Sequence, residues 1–211
     1  RWHDDEFGTV EPEEFIPLAE AMGLASTVNV YVLNYVLKNI VGITSVTNNN
    51  IGVNLSPNVH DLDRHYAELS QLLQKYASVL EKVNLIFEVT ESSFIKNDSK
   101  KILPFLEGLK SQGARLAVDD FGVEHSSLNR LLEYPFDIIK LDRYFVSELV
   151  KENSHQARSI VRAVINLANE LNIDVIAEGI ENKEQYDLLR SMGCDYAQGY
   201  LLNSKHAVLL A

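Results

Sequence analysis

Apolar and polar positions alternate along this chain on two length scales. Short runs rich in β-branched residues are each followed by a longer stretch with helical spacing. The short runs Ile51–Leu55, Asn84–Val89, Arg115–Val118, Asp137–Leu141, Ile173–Ala177 and Tyr196–Leu201 predict strands. The clearest helix between them runs from about Ser154 to Leu171, with Ile160, Val164, Leu167, Ala168 and Leu171 assigned to one face. Helix ends are marked. Pro12 opens a helix with Glu13 and Glu14 in its first turn, where the dipole favours negative charge, and Gly23 follows its end. Asn182 predicts a cap with Gln185 three residues on, and Gly193 marks the far end of that helix. The polar stretch Thr44 to Asn50 predicts a flexible turn.

Strand, helix, strand, helix without interruption predicts a mostly parallel α/β sheet. Its strands read as near-continuous apolar runs, as they do when both faces of a sheet are covered. No repeat, low-complexity tract or linker divides the chain, so residues 1–211 are expected to form one domain.

Each apolar run ends on polar residues. The first ends at Asn54. The second ends at Glu88, with Glu91 three residues on. The third ends at the adjacent pair Asp119 and Asp120. The fourth carries Lys140 and Asp142, the fifth ends at Glu178 with Glu181 beyond it, and the sixth carries Gln198. In a parallel sheet the C-terminal strand ends share one side, and in a closed barrel they converge on one small disc. That convergence favours a barrel over an open doubly wound sheet. A lone charge at a strand end is usually just solvated. Asp142 also stands where it can cap a turn, and Lys140 where it can serve a structural ion pair. Six strands ending alike are harder to assign to solvation.

So many acids in one cleft would raise each other's pKa and cost stability. Divalent cations remove that cost, and all-oxygen donors suit Mg²⁺ or Mn²⁺. An adjacent Asp pair could hold two ions with one carboxylate bridging, and two metals about 3.5–4 Å apart form a clamp for in-line attack on a phosphodiester.

Composition narrows the classes. The chain has 211 residues, 46% of them apolar, and a net charge of -11. That charge argues against a broad basic surface for DNA, RNA or anionic membranes, but not against a small anionic ligand beside bound metal. Cys194 is the single cysteine, so no disulfide forms within the chain, and a reducing compartment fits. No apolar run is long enough to span a membrane, and no signal peptide is visible, so a cytoplasmic domain is expected. The chain starts at Arg1 rather than methionine, and anchoring or sensor segments are expected outside it. Other motifs are absent or weak. Asp120-Phe121-Gly122 repeats a kinase tripeptide, but the glycine-rich loop and the H-R-D loop are missing. There is no phosphate-binding loop, no dinucleotide fingerprint and no H-E-x-x-H.

As an ordered set, the motifs RW, EFIPLAE, VNLS, EVTES, LAVDDFG, IIKLD, VIAEGIE and GCDYAQGY resemble the EAL domain, the phosphodiesterase domain for cyclic di-GMP. The resemblance runs from Arg1 to about Leu201. It implies a modified TIM (β/α)8 barrel whose N-terminal strands are missing from the chain, and hydrolysis of cyclic di-GMP to linear pGpG with two Mg²⁺ or Mn²⁺ ions. It implies Asn54, Glu88, Asp119, Asp120 and Glu178 as metal ligands, with Asp119 bridging. It implies Lys140 as the residue that positions or activates the attacking water, with Glu178 and Glu181 also in the active site. Glu91 would anchor the loop after the aspartate pair. Arg1, Gln198, Tyr200 and Asp142 fall to substrate binding. A homodimer and an upstream sensor or GGDEF-type cyclase domain are the implied partners.

Three departures qualify the resemblance. The Glu-Ala-Leu tripeptide that names the family would precede Arg1, so its glutamate is not in this chain. The loop after the pair, usually D-D-F-G-T-G-Y-S-S, here continues Val123-Glu124-His125-Ser126-Ser127. The Lys-Pro or Arg-Pro expected after Gly199-Tyr200 is replaced by Leu201-Leu202-Asn203-Ser204-Lys205-His206. Besides hydrolysis, two alternatives follow: a catalytically silent cyclic di-GMP receptor, or a protein-interaction module that has lost the nucleotide. The intact rim favours catalysis.

Overall fold

The computed structural model describes residues 2–40, 49–57, 60–91, 93, 99–122, 128–202 and 204–210. A short antiparallel hairpin, β1 (Trp2–Asp4) and β2 (Gly8–Val10), precedes the main sheet. The main sheet contains β3 (Asn50–Asn54), β4 (Asn84–Thr90), β5 (Arg115–Phe121), β6 (Ile138–Leu141), β7 (Asp174–Ala177), β8 (Tyr196–Gly199) and β9 (Ser204–Leu209), in that spatial order. β3 to β8 are parallel, and β9 returns antiparallel along β8. The six parallel strands are the six read from the sequence, and they curl into an open half-barrel with helices on its outer face. The hairpin lacks a long apolar run, and the sequence pattern passed over both it and β9.

Period-two alternation gives the sheet two chemically distinct faces. Leu85, Phe87 and Val89 of β4, Leu116 and Val118 of β5, and Ile139 and Leu141 of β6 enter a large core. Helices Ala25–Lys38, Leu62–Lys75, Ser99–Ser111 and His155–Leu171 close that core with Leu33 and Leu37, Leu69 and Leu73, Leu106 and Leu109, and Val161 and Ile165. Each fully buried leucine contributes about 2 kcal/mol of transfer free energy. The intervening residues Ile86, Ala117, Ile138 and Ile176, with Tyr196 packed on them, form a second cluster from five strands. This cluster is the apolar floor of the concave face.

The long helix starts at His155, as its spacing predicts, but its phase differs from the sequence reading. Val161, Ile165 and Ala168 form the buried stripe, flanked by Val164, Leu167 and Leu171, while Ile160 is 48% exposed. Rotating the stripe by one residue keeps the helical period and turns Ile160 to solvent. The Pro12–Ala21 helix carries Glu13 and Glu14 in its first turn. Asn182 and Gln185 complete a capping box for the helix Lys183–Ser191, and Gly193 follows in the left-handed region, where a glycine is least strained. Residues 44–48 of the expected turn lie outside the described residues.

Charges at the N-terminal strand ends are balanced. Asp137 accepts from Leu116 N and pairs with Lys110 at 2.7 Å. Asp174 pairs with Arg115 at 2.6 Å, and Asp195 accepts from Val175 N. These contacts tie β5 to β6 and to β7, β7 to β8, and the helix Ser99–Ser111 to the sheet, at the rim opposite the acidic one.

His65, in the helix Leu62–Lys75, is fully buried against Phe105, with ring centroids 5.3 Å apart. Neither ring nitrogen has a hydrogen-bond partner. Burial pushes its pKa down to about 4, with Asp61 opposing and Arg64 reinforcing the shift. The folded chain therefore binds fewer protons than the unfolded chain between about pH 4 and 6.5. Stability contributed by neutral His65 is complete above 6.5 and lost as pH falls through that window, by about 3 kcal/mol in total. Urea denaturation of wild type is expected to show this decline. His65→Leu should flatten it while matching or exceeding wild-type stability at pH 7.5, because two unpaired nitrogens are removed.

Candidate active site at the strand C-terminal ends

The polar groups stand one step above the apolar floor. Glu88 lies two residues past Ile86, Asp119 two past Ala117, Lys140 two past Ile138, Glu178 two past Ile176, and Gln198 two past Tyr196. Alternation therefore turns each of them to the concave face that its floor residue occupies. Parallel pairing in register sets Asn54 beside Glu88.

The adjacent aspartates would point to opposite faces in a regular strand. A bulge resolves this. Val118 pairs with Ile139 and Phe121 with Leu141, so β5 spends one more residue than β6 over the same span. Asp120 takes a left-handed φ of 54° and is exposed at the rim. Asp119 stays on the concave side, and Phe121 returns to the core at 3% exposure. Bulges re-aim side chains in this way next to functional sites. The Asp120 amide donates to Asp119 Oδ1 at 3.1 Å.

Lys140 is the centre of the constellation. It is 6% exposed, and its Nζ lies 2.8 Å from Glu88, 2.9 Å from Asp119 and 2.9 Å from Glu178. Four strands thus bring one ammonium and three carboxylates together. Burial alone would lower the lysine pKa, but Glu88, Glu178 and Asp119 outweigh it, so the ammonium stays charged. Glu88 and Glu178 both have raised pKa values, first from burial, with Lys140 opposing and neighbouring carboxylates adding. A single positive charge among three acids leaves the cluster net negative, unlike the paired acids of the opposite rim.

The remaining expected residues separate into two groups. Glu91 is buried and accepts from Gly122 N at 3.4 Å, which fits an anchor for the segment that follows the aspartate pair. Gln198 sits on β8, where its carbonyl accepts from Ile180 N. A side chain at Gly199 would meet the Ile180 backbone at 2.3 Å, so the two segments approach closely only because that residue is glycine. Asp142 caps the helix Arg143–Glu148 by accepting from Tyr144 N, the structural role open to it in the sequence. Glu181 is exposed, and its amide donates to Gln185 Oε1. Tyr200 is 87% exposed in a 3-10 turn after β8 rather than in the strand expected to reach Leu201. Arg1 and the segment Val123–Ser127 lie outside the described residues.

One position was missed. Gly52 lies two residues before Asn54 on β3, and a Cβ there would stand 2.1 Å from Glu88 Oε1. An isolated glycine inside a strand pattern was the available signal, since it marks a close approach.

Among the described residues, no three acid, histidine or cysteine side chains surround a common open position fit for a metal. The carboxylates instead converge on the Lys140 ammonium, which supplies the balancing positive charge. The donor chemistry nevertheless suits a hard cation: every group is an oxygen donor, and the cluster is already arranged around positive charge.

A curled parallel sheet with an acid-rich C-terminal rim defines a TIM-barrel-like α/β domain. The EAL domain model matches residues 1–205, and the chain belongs to that family. It is 33% identical over 204 residues to the bifunctional diguanylate cyclase/cyclic di-GMP phosphodiesterase MucR of Pseudomonas aeruginosa, covering 96% of this chain and 29% of that protein. It is 33% identical over 201 residues to the cyclic di-GMP phosphodiesterase PdeF of Escherichia coli K12, covering 95% of this chain and 26% of that protein. A solved complex of the PaMucR phosphodiesterase with c-di-GMP superposes with a TM-score of 0.78 at 31% identity, covering 97% of this chain and 81% of that one. The chain thus spans roughly a quarter to a third of these curated relatives.

Removing the ammonium would leave three carboxylates facing one another. Lys140→Met is expected to lower the unfolding free energy by about 3 kcal/mol at pH 7, as breaking a buried pair does. The loss should shrink towards pH 4, as Glu88 and Glu178, whose pKa values burial raises, take up protons. Urea denaturation at the two pH values measures both effects.

Proposed function

We propose that this chain hydrolyses cyclic di-GMP to linear pGpG. The observation that supports it most is the convergence of Glu88, Asp119 and Glu178 on Lys140, at the strand C-terminal rim of an EAL-family sheet. Relatives named as cyclic di-GMP phosphodiesterases add to it.

The overall reaction replaces one phosphorus–oxygen ester bond of the cyclic ligand with a bond to water oxygen, and the leaving hydroxyl takes a proton. Asn54, Glu88, Asp119, Asp120 and Glu178 are the residues that would hold two Mg²⁺ or Mn²⁺ ions. The chemistry such ions supply when bound is a hydroxide nucleophile at neutral pH and neutralisation of charge on the phosphate. Lys140, kept protonated by its carboxylate neighbours, serves as a donor that orients oxygen at the reacting centre and offsets developing negative charge. It holds Glu88, Asp119 and Glu178 in fixed mutual positions before the ligand arrives. Glu91 steadies the backbone at Gly122, where β5 leaves the site. Arg1, Gln198, Tyr200 and Asp142 belong to the substrate side of the cleft, and Glu181 to its catalytic side. Positive charge at the centre matters for a dianionic ligand, because the chain's own charge of -11 opposes it.

The reading extends to assembly. Leu128, Leu132 and Tyr144 are 57%, 76% and 58% exposed, in or beside the helices Asn129–Glu133 and Arg143–Glu148 that follow β5 and β6. We place the contact of a homodimer there, next to the site. The parent protein carries a sensor or cyclase domain upstream, by analogy with relatives several times longer. No described helix is long and apolar enough to cross a membrane. The domain acts in the cytoplasm, where a nucleotide second messenger is made and read.

Chromatographic assay of the full-length protein with Mg²⁺ or Mn²⁺ is expected to show pGpG appearing as cyclic di-GMP disappears. Chelation should stop it. Asp119→Asn should cut kcat by more than about a hundredfold, beyond the usual 10–100-fold effect of outer-sphere metal partners. Binding of cyclic di-GMP without turnover under these conditions would favour the receptor reading instead.

A further inference from the structure

We propose that Gly52 is a positioning residue for the Glu88 carboxylate, its bare α-carbon being the seat over which that carboxylate lies. The inference rests on the reading of Glu88 as part of the reaction centre. β3 and β4 run parallel with Gly52 opposite Ile86 and Asn54 opposite Glu88. All four residues share the concave face by alternation. From its place above Ile86, the Glu88 side chain reaches across to the neighbouring strand. Its two oxygens meet different partners. Oε2 accepts from Lys140 Nζ at 2.8 Å, while Oε1 occupies the space a Gly52 side chain would fill. A Cβ at Gly52 would stand 2.1 Å from Oε1 and 2.9 Å from Cδ, closer than side-chain carbons approach in folded proteins.

The glycine has no conformational reason to be there. Gly52 is absent from the glycines with positive φ, and it lies inside a strand, where glycine is disfavoured against any residue with a side chain. What it contributes is space. The atoms it makes room for are the far end of a flexible side chain, so an added methyl displaces the carboxylate rather than the backbone. The consequence falls on the site and not on the fold.

Gly52→Ala in the intact protein separates these levels. Its thermal midpoint should stay close to that of wild type, because Asp119 and Glu178 keep Lys140 paired. Its crystal structure should show the Glu88 carboxylate moved off the Lys140 ammonium with β3 unmoved. Mn²⁺ affinity, measured by calorimetry, should fall about tenfold or more, and kcat should fall with the KM for cyclic di-GMP changed less than about threefold. Adding Glu88→Asp tests the cause. The aspartate is one methylene shorter and clears the methyl, so the same Gly52→Ala change should weaken Mn²⁺ binding less than about threefold on the Glu88→Asp background, a non-additive cycle. An equal loss on both backgrounds, or a Glu88 carboxylate left in place in the Gly52→Ala crystal, would overturn the proposal. A wild-type protein that takes up no Mn²⁺ would count against the metal-centred reading alone, and the crystal structure would still decide the role of Gly52.

Discussion

A buried ammonium surrounded by three carboxylates is the constraint around which this molecule is arranged. Lys140 cannot be taken out of water alone, since desolvating a lone charge costs several kcal/mol even after the protein relaxes. Nor can Glu88, Asp119 and Glu178 be gathered without it. Each needs the others, and they come from four consecutive strands of the sheet. Register, curl and floor packing therefore all act on the same cluster. Ile86, Ala117, Ile138 and Ile176 set its height, and the helix-covered core behind β4 to β7 sets its curvature. The Lys140 cluster keeps an unbalanced negative charge at its rim, while Asp137, Asp174 and Asp195 at the other strand ends each have a cation or a backbone amide.

Much of this was legible in the chain because alternation is a local property. A run such as Ile86-Phe87-Glu88 places Phe87 in one layer and its neighbours in the other without reference to the rest of the fold. The strands and the capping box at Asn182 followed from such short-range rules. The bulge at Asp120 did not. Two adjacent aspartates look the same whether β5 is regular or carries one extra residue, and only the register with β6 distinguishes them. Lys140 was legible as a strand-end charge, but its three simultaneous partners depend on the curl of the sheet. The phase of the long helix slipped by one residue because Ile160 and Val161 are both apolar and composition cannot choose between them. The β1–β2 hairpin and β9 are antiparallel additions outside the run of parallel strands.

The contacts between the ends of β7 and β8 have a mechanical meaning. Ile180 donates its amide to Gln198, and its carbonyl accepts from Leu201 N, at 3.0 Å each, with Gly199 letting the two backbones touch. Glu178 and Gln198, although they come from different strands, thus ride on one welded corner. The distance between the two residues is thus set by backbone contacts rather than by side-chain packing.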